Sequence, residues 1–106
     1  MNDLNFQTYQ QQATTYASYG NTNYPYFALV EEVGEFCGKI AKNMRGDRNA
    51  EETKALMRKE AGDILWNLSE ICSLNGWSLQ EIAQENLNKL ADRAAHDKIK
   101  GDGDTR

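Results

Sequence analysis

The sequence predicts an all-α fold, a bundle-like set of four amphipathic helices built around a central antiparallel hairpin. Three observations carry this. Apolar residues recur at spacings of three and four in four segments, and no segment alternates with a period of two. Short turn-forming runs join the segments. Two acidic motifs, Glu31-Glu32-Val33-Gly34-Glu35 and Glu60-Ala61-Gly62-Asp63, lie on either side of one such run, Gly46-Asp47-Arg48-Asn49.

Helix one is expected over about Asn5 to Tyr19, with Phe6, Tyr9, Ala13 and Tyr16 as its apolar marks and Gly20 as its stop. Pro25 suits the first turn of helix two, where a missing N–H costs nothing. That helix runs to about Met44, with Val30, Val33, Cys37, Ile40, Ala41 and Met44 as its apolar stripe. Helix three begins near Glu51, since Glu51 and Glu52 favour the positive end of a helix dipole. Met57, Ala61, Ile64, Leu65, Leu68, Ile71 and Cys72 form its apolar face, and Glu60, Asp63, Asn67 and Glu70 form a second, polar stripe. It ends at Asn75-Gly76. Ser78 with Glu81 reads as a capping box that opens helix four near Leu79. Ile82, Ala83, Leu87, Leu90 and Ala94 carry its apolar face. Residues 1–97 form a single domain, and residues 98–106 read as a flexible charged tail.

The acidic motifs carry the chemistry. Carboxylates three apart share one face of a helix. If helices two and three fold back about Gly46 to Asn49, residues at equal height have position numbers of constant sum. Glu32 with Asp63 and Glu35 with Glu60 obey the same sum. One hairpin therefore brings four carboxylates to one level, where they repel and raise each other's pKa unless cations neutralise them. All-oxygen ligand sets suit Mg²⁺, with Mn²⁺ as the second choice. Glu31 sits at i,i+4 to Glu35 and about 100° from Glu32, so spacing leaves open a second metal, a water-orienting role or solvent. Asn86, Lys89 and Arg93 share a face of helix four, which fits either phosphate binding or a solvated surface.

Composition sets limits. A net charge of −4 without a basic run argues against duplex nucleic acid. No stretch approaches the length of a membrane span, and no leader is visible, so the expected location is cytoplasmic. Cys37 and Cys72 read as two buried free thiols. Lone His96 supports neither a zinc site nor a carboxylate–histidine di-iron site. Four short helices make a thin core, so a homo-oligomer is expected.

The pattern Glu-Glu-x-x-Glu, 24 residues, then Glu-x-x-Asp resembles the signature of the MazG-type all-α nucleoside triphosphate pyrophosphohydrolases. Asp63 to Leu68 also looks typical of them. Asn86-Leu87-Asn88-Lys89-Leu90-Ala91-Asp92-Arg93 is similar to the family's Asn-x-x-Lys-x-x-x-Arg element. The resemblance covers about residues 25 to 95. In length the chain is similar to short MazG-like proteins, including those on mobile gene cassettes. The resemblance implies Mg²⁺-dependent conversion of an NTP or dNTP to the monophosphate and pyrophosphate, with nucleotide-pool house-cleaning as the role. By position it makes Glu32, Glu35, Glu60 and Asp63 the metal ligands. Asn86, Lys89 and Arg93 become phosphate holders. The chemistry separately asks for a spare carboxylate to take or position the proton of a metal-bound water, and Glu31 and Glu35 are the candidates. The resemblance also implies a homodimer or homotetramer whose subunits share the site, with helix one shaping the base pocket. The rival readings are a phosphoribosyl-ATP pyrophosphohydrolase and a non-enzymatic helical module that binds a basic partner.

Overall fold

The structure, a computed structural model, describes residues 3–96. It is all-α over that range, with helices α1 (Phe6–Ala13), α2 (Tyr24–Met44), α3 (Ala50–Leu74) and α4 (Leu79–Ala95). The expected tail at residues 98–106 lies outside the described residues.

The α2–α3 hairpin is the backbone of the molecule. Gly46, at φ 84°, ends α2 in a left-handed turn that an L side chain resists. Its amide donates to Asn43 O (3.0 Å) and that of Asp47 to Lys42 O (2.9 Å), which satisfies the last carbonyls of α2. Asn49 then caps α3. Its Oδ1 accepts from the Glu52 amide at 2.9 Å, and Glu52 Oε1 accepts from the Asn49 amide at 3.3 Å. The same glycine device, Gly76 at φ 71°, closes α3. Ser78 Oγ accepts from the Glu81 amide at 3.1 Å and starts α4, as one half of the expected capping box.

Helix one is shorter than its spacing predicts. The α-helix stops at Ala13, a 3-10 turn covers Thr14–Tyr16, and Ala17 is extended. Two side chains explain this. The Trp66 indole N–H donates to Ala13 O at 3.1 Å, and Thr15 Oγ1 donates to Gln12 O at 2.6 Å. These carbonyls thus gain partners outside a continuing α-helix. Tyr19 consequently belongs to the loop before α2. Gln10 ties α1 to the turn before α4: its Oε1 accepts from the Leu79 amide (2.8 Å) and its Nε2 donates to Trp77 O (2.9 Å). α4 packs chiefly against α1.

The apolar stripe of α2 does not face α3. Val30 is 70% exposed and Met44 81%, while Val33, Ile40 and Cys37 are also exposed. Cys37 is therefore not the buried thiol its setting predicts; Cys72 is. The reason is rotational. Turning Glu32 toward α3 swings the next position, Val33, about 100° away, and the row spaced three and four from it follows. What α2 turns inward is Pro25 and Ala28, both buried, with Leu29, Glu32, Phe36 and Lys39 partly so. Leu87 and Leu90 of α4 are exposed too. The radius of gyration, 16.9 Å, exceeds the roughly 13 Å of a compact chain this long, so a single chain stands open.

Candidate metal centre

The hairpin brings three of the four expected carboxylates together. One carboxylate oxygen from each of Glu32, Glu60 and Asp63 lies within 4.8 Å of the other two. Glu32 and Glu60 are half-buried, and Asp63 is exposed. One side of the cluster is sheltered between the helices and the other opens outward.

Electrostatics strain the cluster. A hydrogen bond with Glu60 and burial hold Glu32 up at about 7, and the charges of Glu35, Asp63 and Glu60 add to this. Glu32 Oε2 and Glu60 Oε2 are buried without a hydrogen-bond partner. Orphaned buried anionic oxygens in a convergent set are what a hard divalent cation would satisfy. The residues fit Mg²⁺ or Mn²⁺: three hard oxygen donors converge, and a cation would remove both the repulsion and the orphaned lone pairs. Glu35 is exposed and is not one of the converging three, yet its charge acts on Glu32 from one turn away. Glu31 is exposed as well.

A cation that spacing did not bring forward also stands here. Lys39 Nζ lies 3.7 Å from Glu60 Oε1, with both side chains largely buried. Its signal was its place one turn beyond Glu35 on the acidic face. It offsets part of the negative charge and leaves Glu32 and Asp63 to their mutual repulsion.

The helix-four residues divide. Asn86 and Lys89 are exposed, and Arg93 is 6% exposed. α4 lies chiefly on α1, and Arg93 is packed inside the chain while the other two are at the surface, so the three do not form one exposed face.

Further along the same polar stripe of α3, Glu70 is 1% exposed and accepts a hydrogen bond from the Tyr19 hydroxyl at 2.7 Å. Burial, that hydrogen bond and the charge of Glu70 push the Tyr19 phenol up to about 12. Asn67, between Asp63 and Glu70, donates to Asp63 O at 2.9 Å.

Comparison with known proteins agrees with this geometry. Residues 22–97 match the family model described as the MazG nucleotide pyrophosphohydrolase domain. A curated relative, the Gene 37 protein of Mycobacterium phage L5, is 33% identical over 87 residues, covering 79% of this chain and 75% of the phage protein. No solved structure matches. Among the described residues, no helix is long and apolar enough to cross a membrane.

Proposed function

Because the chain belongs to the MazG nucleotide pyrophosphohydrolase family, we propose that it hydrolyses a nucleoside triphosphate to the monophosphate and pyrophosphate. The observation that carries the reading is the convergence of Glu32, Glu60 and Asp63 with two orphaned buried oxygens. These three would hold Mg²⁺ or Mn²⁺, and Glu35, one turn from Glu32, would complete the set. When bound, the cation neutralises phosphate charge and acidifies water.

The protein's own groups do the rest. Glu31 and Glu35, both exposed, are the carboxylates we assign to take a proton from the attacking water. Lys39 holds Glu60 in place. Asn86 and Lys89 hold phosphate oxygens, and because α4 leans on α1 we assign them to the site of a neighbouring copy; Arg93, buried in its own chain, would join them only after a rearrangement. The protein is then a homodimer or homotetramer. The exposed apolar row of α2 supports this, since a patch of that kind marks an interaction surface. A single domain in residues 1–97, a cytoplasmic location and house-cleaning of the nucleotide pool belong to the same proposal.

The test is product identification after incubation with a panel of NTPs and dNTPs plus Mg²⁺. Monophosphate and pyrophosphate in equal amounts are expected. Release of orthophosphate, or no consumption of any nucleotide, overturns the reading. Turnover confined to phosphoribosyl-ATP would transfer it to the rival enzyme.

A further inference from the structure

Lys39 stands on the inner side of α2, four residues beyond Glu35 and seven beyond Glu32, so the three share one stripe. A lysine ordinarily uses its long stem to carry the ammonium out to water. Here the side chain is only 19% exposed, and Nζ lies 3.7 Å from Glu60 Oε1, on a carboxylate that is itself 14% exposed. Leu56, opposite Lys39 in the hairpin register, carries no charge. The hydroxyl of buried Thr53, one turn closer to Gly46, is spent on Asn49 O at 2.8 Å. The ammonium is thus committed to the acids. Shelter separates such a pair from an ion pair on the surface, which long side chains and solvent make weak.

The two oxygens of Glu60 have separate fates. Oε1 faces the ammonium, and Oε2 is buried without a partner. The three converging acids offer one oxygen each, all within 4.8 Å of one another, which is room for one ion among them. Two-ion sites for phosphoryl transfer set their cations roughly 3.5–4 Å apart. A carboxylate can bridge such a pair by giving one oxygen to each ion. At Glu60 the oxygen that would serve the second ion is already paired with Lys39.

Building on the metal-dependent pyrophosphohydrolase reading, we propose that Lys39 is a built-in counter-ion that takes the place of a second divalent cation at Glu60, so that the acidic cluster of each chain accepts one ion. Lys39 is a positioning residue. It acts on the metal centre through Glu60, holding Oε1 and leaving Oε2 for the ion. A covalently fixed ammonium repels a second dication from the same carboxylate, and it does not exchange as the metal concentration changes.

The experiment counts Mn²⁺ on the full-length protein without nucleotide, by isothermal titration and by electron paramagnetic resonance. Wild type should bind one Mn²⁺ per chain, with the hyperfine pattern of an isolated ion. Lys39→Met keeps much of the stem and removes the charge, so it should bind two, with the exchange-coupled spectrum of ions that share a carboxylate. Lys39→Arg restores the charge and should return the count to one. Two coupled ions in wild type overturn the proposal, and this result needs no variant to fold. A count of one in wild type and in Lys39→Met alike also overturns it and reduces Lys39 to a structural ion pair.

Product analysis separates the proposal from the activity it builds on. Monophosphate and pyrophosphate made by a wild type that holds two coupled ions would keep the pyrophosphohydrolase reading and end the role given to Lys39. One ion in wild type and two in Lys39→Met, with no nucleotide consumed by wild type, would do the reverse.

Discussion

The two long faces of α2 invert the usual arrangement. The face turned to α3 carries Glu32 and Lys39, and the face turned to solvent carries Val30, Val33, Cys37, Ile40 and Met44. Each face is unfavourable in an isolated chain. The inner one gathers repelling carboxylates, and the outer one leaves apolar side chains in water. In the proposed function a cation would relieve the first and a second copy of the chain would relieve the second. The difference teaches that the hairpin is organised around what it binds, because the register that joins the acids is the same register that expels the apolar row.

Breaking the inner face should have the largest effect. Asp63→Asn or Glu35→Gln is expected to lower turnover about a hundredfold or more while circular dichroism stays helical. The pair also sharpens the comparison. Asp63 is one of the three converging acids and Glu35 is not, so Mg²⁺ titrations of both variants would show whether Glu35 joins the set. Wild-type activity in either variant would remove that residue from the site.

Breaking the outer face comes next. Ile40→Asp places a charge in the exposed row and should weaken self-association on the order of a hundredfold, read as a shift to the monomer mass in light scattering. A monomeric wild type at micromolar concentration would contradict the account of this face.

The phosphate-binding assignment predicts a smaller loss. Lys89→Ala should reduce kcat/KM roughly ten- to a hundredfold through a lost charge-assisted hydrogen bond, with little change in metal affinity. Arg45→Ala, which removes an exposed pair with Asp47, is the control and should change almost nothing. If the two variants behave alike, Lys89 faces solvent.

The smallest effect concerns pH. Glu32 ordinarily titrates near 4.5 and here near 7, so the metal-free folded chain keeps a proton that the unfolded chain releases between those values. That contribution to stability is complete below about pH 4.5 and is lost as pH rises through 7. The metal-free Tm should therefore fall by several degrees across this range, and Glu32→Gln should flatten the fall. Metal affinity should rise over the same interval, because binding expels the proton. A flat metal-free Tm profile would show that Glu32 is ionised throughout.

Periodicity and punctuation made much of this legible. The bounds of α2, α3 and α4, the hairpin and its register follow from Pro25, Gly46, Gly76, Ser78 and the equal-sum acids. Periodicity finds a stripe but not its direction. Spacing alone makes the α2 row a core face, although the acids already claim the inward side. The early end of α1 depends on Trp66, 53 positions away, reaching Ala13 O, and no local signal announces it. Gln10 is equally invisible, since a glutamine on a polar helix face looks solvated until the turn at Leu79 meets it. Within the acidic face, carboxylates dominate the pattern, and Lys39 gained meaning only from its distance to Glu60.

The most direct test of the inner face is anomalous scattering from crystals grown with Mn²⁺. A peak bound by oxygens of Glu32, Glu60 and Asp63, absent in Asp63→Asn, is the result this account predicts. Mn²⁺ elsewhere on the chain, with Lys39 and solvent alone balancing the three acids, would contradict it.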